Sequence, residues 1–190
     1  MDRTAELRWF FRRPLPPAVE AWFEKVADPP ATRTDTYLVL PDSDALGVKI
    51  RGGTTSFQLK VRPRPGQRLG LPGGITGQLE EWQRWSFTRP AVTKLVPRLG
   101  LPRTHWLKVV KERRLIDIPF RDGAGCRAEL TVLQVQGQQW TTLGFESYGP
   151  EVDLVPALEA AADGLFGSID LPGTLDADLS CGYPGWLATL

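Results

Sequence analysis

Between Phe57 and Arg62 apolar and polar side chains alternate without a break, with Phe57, Leu59 and Val61 in one phase and Gln58, Lys60 and Arg62 in the other. A period of two belongs to a strand whose faces meet different surroundings. The fold must therefore supply a sheet with one apolar and one charged side. The pattern recurs along the chain. Leu7, Trp9 and Phe11 alternate with Glu6, Arg8 and Phe10, and Arg33 to Leu40 and Leu46 to Arg51 read as strands on either side of the turn Pro41-Asp42-Ser43-Asp44, with Gly52-Gly53 closing the hairpin. Glu80 to Thr88 continues the series with Trp85 and Phe87 opposite Arg84, although Trp82 interrupts the phase. Thr104 to Ile118 is a long basic strand carrying Lys108, Lys111, Arg113 and Arg114. Hairpin signals at Asp122-Gly123-Ala124-Gly125 and at Gly137 bracket two further strands, Arg127 to Gln136 and Gln139 to Glu146. The total is about eight strands.

Helical spacing is confined to few places. Val19, Trp22, Phe23 and Val26 form an apolar stripe between Pro17 and Ala27, ended by Pro29-Pro30. Ala91 to Leu99 reads as a short helix, and Val152, Val155, Leu158, Ala162 and Leu165 mark a longer one within Pro150 to Phe166. Many strands followed by a late helix give an α+β class. Pro63 to Thr76, dense in Pro and Gly, reads as a surface loop. Residues 1–166 are expected to form one domain, with 167–190 an extension packing on it.

The totals bound what such a domain does. A chain of 190 residues with 42% apolar and 24% charged residues suits one globular domain with a real core. A formal charge of +1 gives no global attraction to DNA or to an acidic membrane, so the distribution of charge matters more than its sum. Two widely spaced cysteines, Cys126 and Cys181, are too few for a disulfide framework or a thiolate metal site and favour a reducing cytoplasm. No apolar run approaches the ~18 residues that a spanning helix needs.

Lining up the strand phases puts Glu6, Arg8, Lys49, Arg51, Gln58, Lys60, Arg62, Arg84, Lys111, Arg113, Glu129 and Glu146 on one face. In an open sheet that face is merely wet. In a closed barrel with helices outside, it is a polar interior whose like charges repel unless an anion neutralises them. Closure therefore implies a ligand. Other candidates point elsewhere: the sole histidine, His105, sits at a strand edge, Gly70 to Gly77 lacks the Lys-Ser/Thr of a phosphate loop, and Trp9, Trp85 and Trp140 fall on or near apolar faces.

The order Glu6-Leu7-Arg8-Trp9-Phe10, Arg33-Thr34-Asp35-Thr36, Lys49-Ile50-Arg51, Gln58-Leu59-Lys60, Lys111-Glu112-Arg113, Glu129 and Glu146 resembles that of the CYTH family, the triphosphate tunnel metalloenzymes, from Ala5 to Phe166. The resemblance implies an antiparallel eight-stranded β-barrel, a tunnel with flanking helices. It also implies that Lys49, Arg51, Lys60, Arg84, Lys111 and Arg113 hold phosphates, to which Arg8 and Arg62 of the same face are added as candidates, and that Glu6, Glu129 and Glu146 serve a Mg²⁺ or Mn²⁺ ion. Glu129 and Glu146 would then be catalytic. The family's first strand carries Glu-x-Glu-x-Lys, whereas this chain reads Glu6-x-Arg8-x-Phe10, with a fixed positive charge in place of a metal carboxylate. Its late Glu-x-Glu is reduced to Glu146 between Gly144 and Tyr148.

Three readings follow. The first is metal-dependent hydrolysis of phosphoanhydride bonds in a triphosphate, a polyphosphate or a nucleotide. The second is a non-catalytic phosphate-binding or regulatory module with a degenerate metal site. The third is a barrel for an apolar ligand, which requires the apolar phase to face inward. The partner expected under the first two is a phosphate-chain small molecule, with no DNA and no membrane, bound by a monomer or homodimer.

Overall fold

Both edges of the first strand are paired, and from that the barrel follows. The computed structural model describes residues 1–12, 15–52, 56–88, 106–169 and 175–190. Strand β1 (Asp2–Phe11) leads into helix α1 (Pro17–Val26), then β2 (Ala31–Leu38), β3 (Leu46–Ile50), β4 (Ser56–Val61), β5 (Gln67–Gly70) and β6 (Thr76–Thr88). Next come β7 (Trp106–Arg121), β8 (Ala124–Val135) and β9 (Gln138–Tyr148), then α2 (Leu154–Phe166) and the short α3 (Tyr183–Ala188). The ladder runs β1-β9-β8-β7-β2-β3-β4-β6, and β6 pairs back onto β1 through Asp2↔Arg84 to Leu7↔Leu79. Eight antiparallel strands thus close, as the alternation and the resemblance lead one to expect.

The ninth strand corrects the sequence reading. Gln67–Gly70 lies in the Pro- and Gly-rich stretch expected to be loop, yet it pairs with Thr76–Leu79, the part of β6 beyond the reach of β4. Backbone groups on that edge need partners, and a short strand supplies them in spite of its composition. The β8–β9 hairpin turns on Gln136 and Gly137, with φ of 49° and 76°, the pair of positive values that a two-residue turn requires. The expected helix at 91–99, together with His105 and Gly53, lies outside the described residues.

Two cores fill the molecule, one on each side of the barrel wall. Outside, Leu7 and Trp9 of β1, Ala128 and Leu130 of β8 and Leu143 and Phe145 of β9 pack under α2 and α1. Helix α2 buries Leu154, Leu158, Ala161, Ala162 and Leu165, while Val152, expected on its stripe, stands 81% exposed on the 3₁₀ turn that precedes it. The different winding of that turn takes Val152 out of the α-helical register. Inside, Phe10, Tyr37, Val109, Leu133 and Val135 meet Trp186 and Leu187 of α3. No helix among the described residues is long and apolar enough to cross a membrane.

The chain after α2 enters the barrel. Beyond Leu7 the edge of β1 no longer pairs with β6, and Cys181 N–H donates to the Arg8 carbonyl (3.0 Å) while Ser180 bridges to Trp9. The chain then turns so that the Trp186 ring stacks on Phe10 (4.6 Å, 2°) and Tyr183 stacks on Tyr37 (5.3 Å, 9°). One end of the barrel is thereby filled with aromatic side chains.

Candidate functional site

The phase opposite Leu7 and Trp9 faces inward, so β1 contributes Glu6 and Arg8 to the interior, β3 Lys49 and β4 Gln58 and Lys60. Arg84 comes from β6, Arg113 from β7, Glu129 from β8 and Glu146 from β9. Above the aromatic plug lies a cavity of about 230 Å³ lined by eight basic side chains and two carboxylates, Glu129 and Glu146, among the described residues. Besides the expected Arg8, Lys49, Arg51, Lys60, Arg84 and Arg113, it includes Arg33 and Arg127.

No protein-family profile matches the sequence, and no curated protein sequence matches it significantly. Solved structures do match. The Mimivirus capping enzyme triphosphatase superposes with a TM-score of 0.52 at 9% identity, over 89% of each chain. The likeness extends to the fold, a closed barrel of eight antiparallel strands. Weaker likenesses, with TM-scores below 0.5 that carry no weight here, are a chain of the Schizosaccharomyces pombe Mediator head module (0.48, 14% identity, 87% of this chain and 92% of that one) and the PH1012 protein of Pyrococcus horikoshii OT3 (0.42, 12%, 84% and 89%).

Within the tunnel the expected site residues separate by depth. Arg8 is 5% exposed; its guanidinium donates to Glu129 Oε1 (3.1 Å) and Thr142 Oγ1 (3.3 Å) and lies over the Tyr183 ring. Glu129 also accepts from Arg113 Nε (3.2 Å) and Thr131 Oγ1 (2.9 Å). Burial alone would raise its pKa, but Arg8, Arg113 and Lys111 hold it well below the usual carboxylate range. Glu146 accepts from Arg84 (3.2 Å) with Lys60 3.8 Å away, and burial is again outweighed, so its pKa is lowered. Glu6 accepts from Lys60 and from Thr4 Oγ1 (3.0 Å).

Two expected phosphate ligands stand apart from the cavity. Lys111, 2% exposed, sits beneath it, donating to the Tyr37 hydroxyl (2.6 Å) with its ammonium 3.7 Å from the centre of the Tyr183 ring. Burial and the neighbouring Lys49 push its pKa well down. Arg62 pairs with Glu80 (3.3 Å) and Asp44 and lies over Trp82, towards the plugged end. The β4 phase is kept, but the strand carries this residue past the cavity.

Arg33, Asp35, Arg127 and Tyr183 also belong to the site although they were not among the expected ligands. Asp35 is fully buried and draws in Arg33 (2.9 Å), Lys49 (3.6 Å) and Lys111 (3.7 Å), which offset its burial and lower its pKa. Arg33 shares the phase of Asp35, and Arg127 the phase of Glu129. Extending the alternation by one step along each strand finds both.

The tunnel carboxylates do not fit a hard divalent cation. Mg²⁺ and Mn²⁺ need several oxygens converging with free lone pairs. Here Glu6, Glu129 and Glu146 each face one or two resident cations at hydrogen-bond or ion-pair distance. Among the described residues no three acidic, histidine or cysteine side chains converge on one point.

Proposed function

We propose that the tunnel binds the phosphate chain of a small molecule, such as tripolyphosphate, a longer polyphosphate or the chain of a nucleoside triphosphate. The observation that carries this reading is a half-enclosed cavity lined by eight basic side chains, against which the four carboxylates of Glu6, Asp35, Glu129 and Glu146 are set. Forked guanidinium donors and ammonium point charges inside a poorly solvated space are what phosphate oxygens require. Desolvation makes the excess costly without an anion, and the cost shows at Lys49, whose pKa burial lowers to about 8 despite Asp35. Of the two phosphate readings, binding without turnover is favoured, because each carboxylate that would serve a metal is held by a basic side chain.

Tripolyphosphate and ATP at low salt should raise the melting temperature, since a ligand of the native state stabilises by mass action. Inorganic phosphate should do so less. No shift with any phosphate chain would end this reading. Phosphate release with Mg²⁺ or Mn²⁺ that disappears in Glu146→Gln would instead establish hydrolysis.

The pH dependence has a definite sign. A bound anion favours the Lys49 ammonium, so above pH 8 binding must take up a proton, and affinity should fall by up to about tenfold per pH unit. For the empty protein the same lowered pKa acts the other way: the unfolded chain keeps that proton up to its ordinary 10.5, so this group's contribution to stability rises between pH 8 and 10.5. Titration calorimetry at pH 7 and pH 9 checks the first statement; equal affinity at both would remove Lys49 from the ligand set.

A further inference from the structure

We infer that Arg8 is a resident cation standing where a tunnel of this fold would otherwise place a divalent metal, and that the cavity accordingly takes the free, uncomplexed phosphate chain. This rests on the phosphate-binding reading above and narrows it to one ionic form of the ligand.

Three observations converge on Arg8. Its partner across the β1–β9 ladder is Gly144. A Cβ at Gly144 would stand 2.5 Å from the Arg8 guanidinium carbon and 2.7 Å from one of its terminal nitrogens. The guanidinium therefore lies directly over the space that any side chain at 144 would fill. Arginine on β1 and glycine on β9 form one arrangement: a side chain at 144 would require the Arg8 guanidinium to leave the position in which Glu129 and Thr142 hold it.

The charge is also fixed. Glu129 and Thr142 hold the guanidinium by hydrogen bonds, and the Tyr183 ring from α3 lies 5.1 Å from its carbon. Burial opposes the charge, but Glu129, Tyr183, Glu6 and Glu146 outweigh it and raise the pKa further, and an arginine does not deprotonate in any case. The tunnel thus holds a permanent cation that shares its carboxylate, Glu129, with Arg113.

A metal ion arriving with the phosphate chain would add two positive charges next to this one. It would also have to take its oxygens from Arg8, Arg113, Lys60 or Arg84. Complexation lowers the negative charge of the chain that the basic side chains would otherwise meet, so the uncomplexed anion is the better ligand. Arg8 and its neighbours do for the phosphates what a bridging cation does elsewhere, without having to be recruited from solution.

Calorimetric titration with sodium tripolyphosphate, once in excess EDTA and once in excess Mg²⁺, tests this on the unmodified protein. Binding in EDTA at least as tight as in Mg²⁺, with no thermal shift from Mg²⁺ alone, is the expected result. Binding seen only with Mg²⁺ or Mn²⁺ would overturn the role of Arg8 while leaving the phosphate reading in place. Absence of binding under both conditions would overturn the phosphate reading and the inference with it. Arg8→Glu supplies a second readout: returning a carboxylate to β1 should make Mg²⁺ raise the melting temperature where it has no effect on the parent, and a variant as indifferent to Mg²⁺ as the parent would count against the exchange.

Discussion

Glu129→Gln is expected to destabilise the empty protein by ~3–5 kcal/mol and to make tripolyphosphate stabilise it more than it does the parent. Removing one member of a buried ion pair leaves its partner charged and uncompensated, and that cost is of this order. Glu129 is 6% exposed and is the carboxylate against which Arg8 and Arg113 are set, with Lys111 adding to the field. Glutamine keeps the shape and a hydrogen-bond acceptor while deleting the charge. Lys111, whose pKa burial already pushes well down, can shed its proton to relieve the imbalance, whereas Arg8 cannot. A phosphate chain restores the missing negative charge, so the ligand-induced rise in melting temperature should exceed the parent's.

Acid adds a further signature. The folded pKa of Glu129 lies well below its ordinary 4.5, so its contribution is present above pH 4.5 and is lost as pH falls towards the folded value. The variant should lack that part of the acid slope. Denaturant melts with and without tripolyphosphate at neutral pH, repeated at acid pH without ligand, decide the matter. A loss under ~1 kcal/mol would show that Arg8 is held mainly by something other than Glu129.

The interior of the barrel was largely legible because it follows a local rule. Phe57 to Arg62 alternates, so Gln58 and Lys60 face one way, and the same parity puts Arg8, Lys49, Arg113 and Glu146 around one cavity. Parity does not say how far along the axis a residue sits. Arg62 keeps the phase of Lys60 yet ends beside Glu80 and Trp82, and Lys111 keeps the phase of Arg113 yet lies beneath the cavity on Tyr37 and Tyr183. Register between strands sets depth, and pairing partners are not written in any one strand. Trp82, which broke the apolar phase of β6, is an inward residue, 2% exposed, whose indole donates to Glu80 (3.1 Å). The pattern failed there because this part of the interior is aromatic. The least legible contribution is Tyr183, because only the path of the chain after α2 brings it beside Arg8. No periodicity foretells that path.

That path leads to the second large effect: Trp186→Ala should cost ~3–5 kcal/mol, the range for emptying a buried tryptophan site, and lower the melting temperature by roughly 10 °C. Trp186 is 2% exposed, stacked on Phe10 and edge-on to Trp140 (5.6 Å) and Tyr183 (5.8 Å). Its loss removes the support on which Tyr183 rests, and Tyr183 is the ring that faces both Lys111 and Arg8. Stability and ligand affinity should therefore fall together, because the floor of the charged cavity is the upper surface of the aromatic plug. Val152→Ser is a suitable control: at 81% exposure it should change stability by no more than ~0.5 kcal/mol and leave tripolyphosphate binding unaltered. Should Trp186→Ala melt like the parent, α3 would not be what fills that end of the barrel. Should it lose stability but bind tripolyphosphate with unchanged affinity, the plug would be a structural stopper with no part in shaping the site above it.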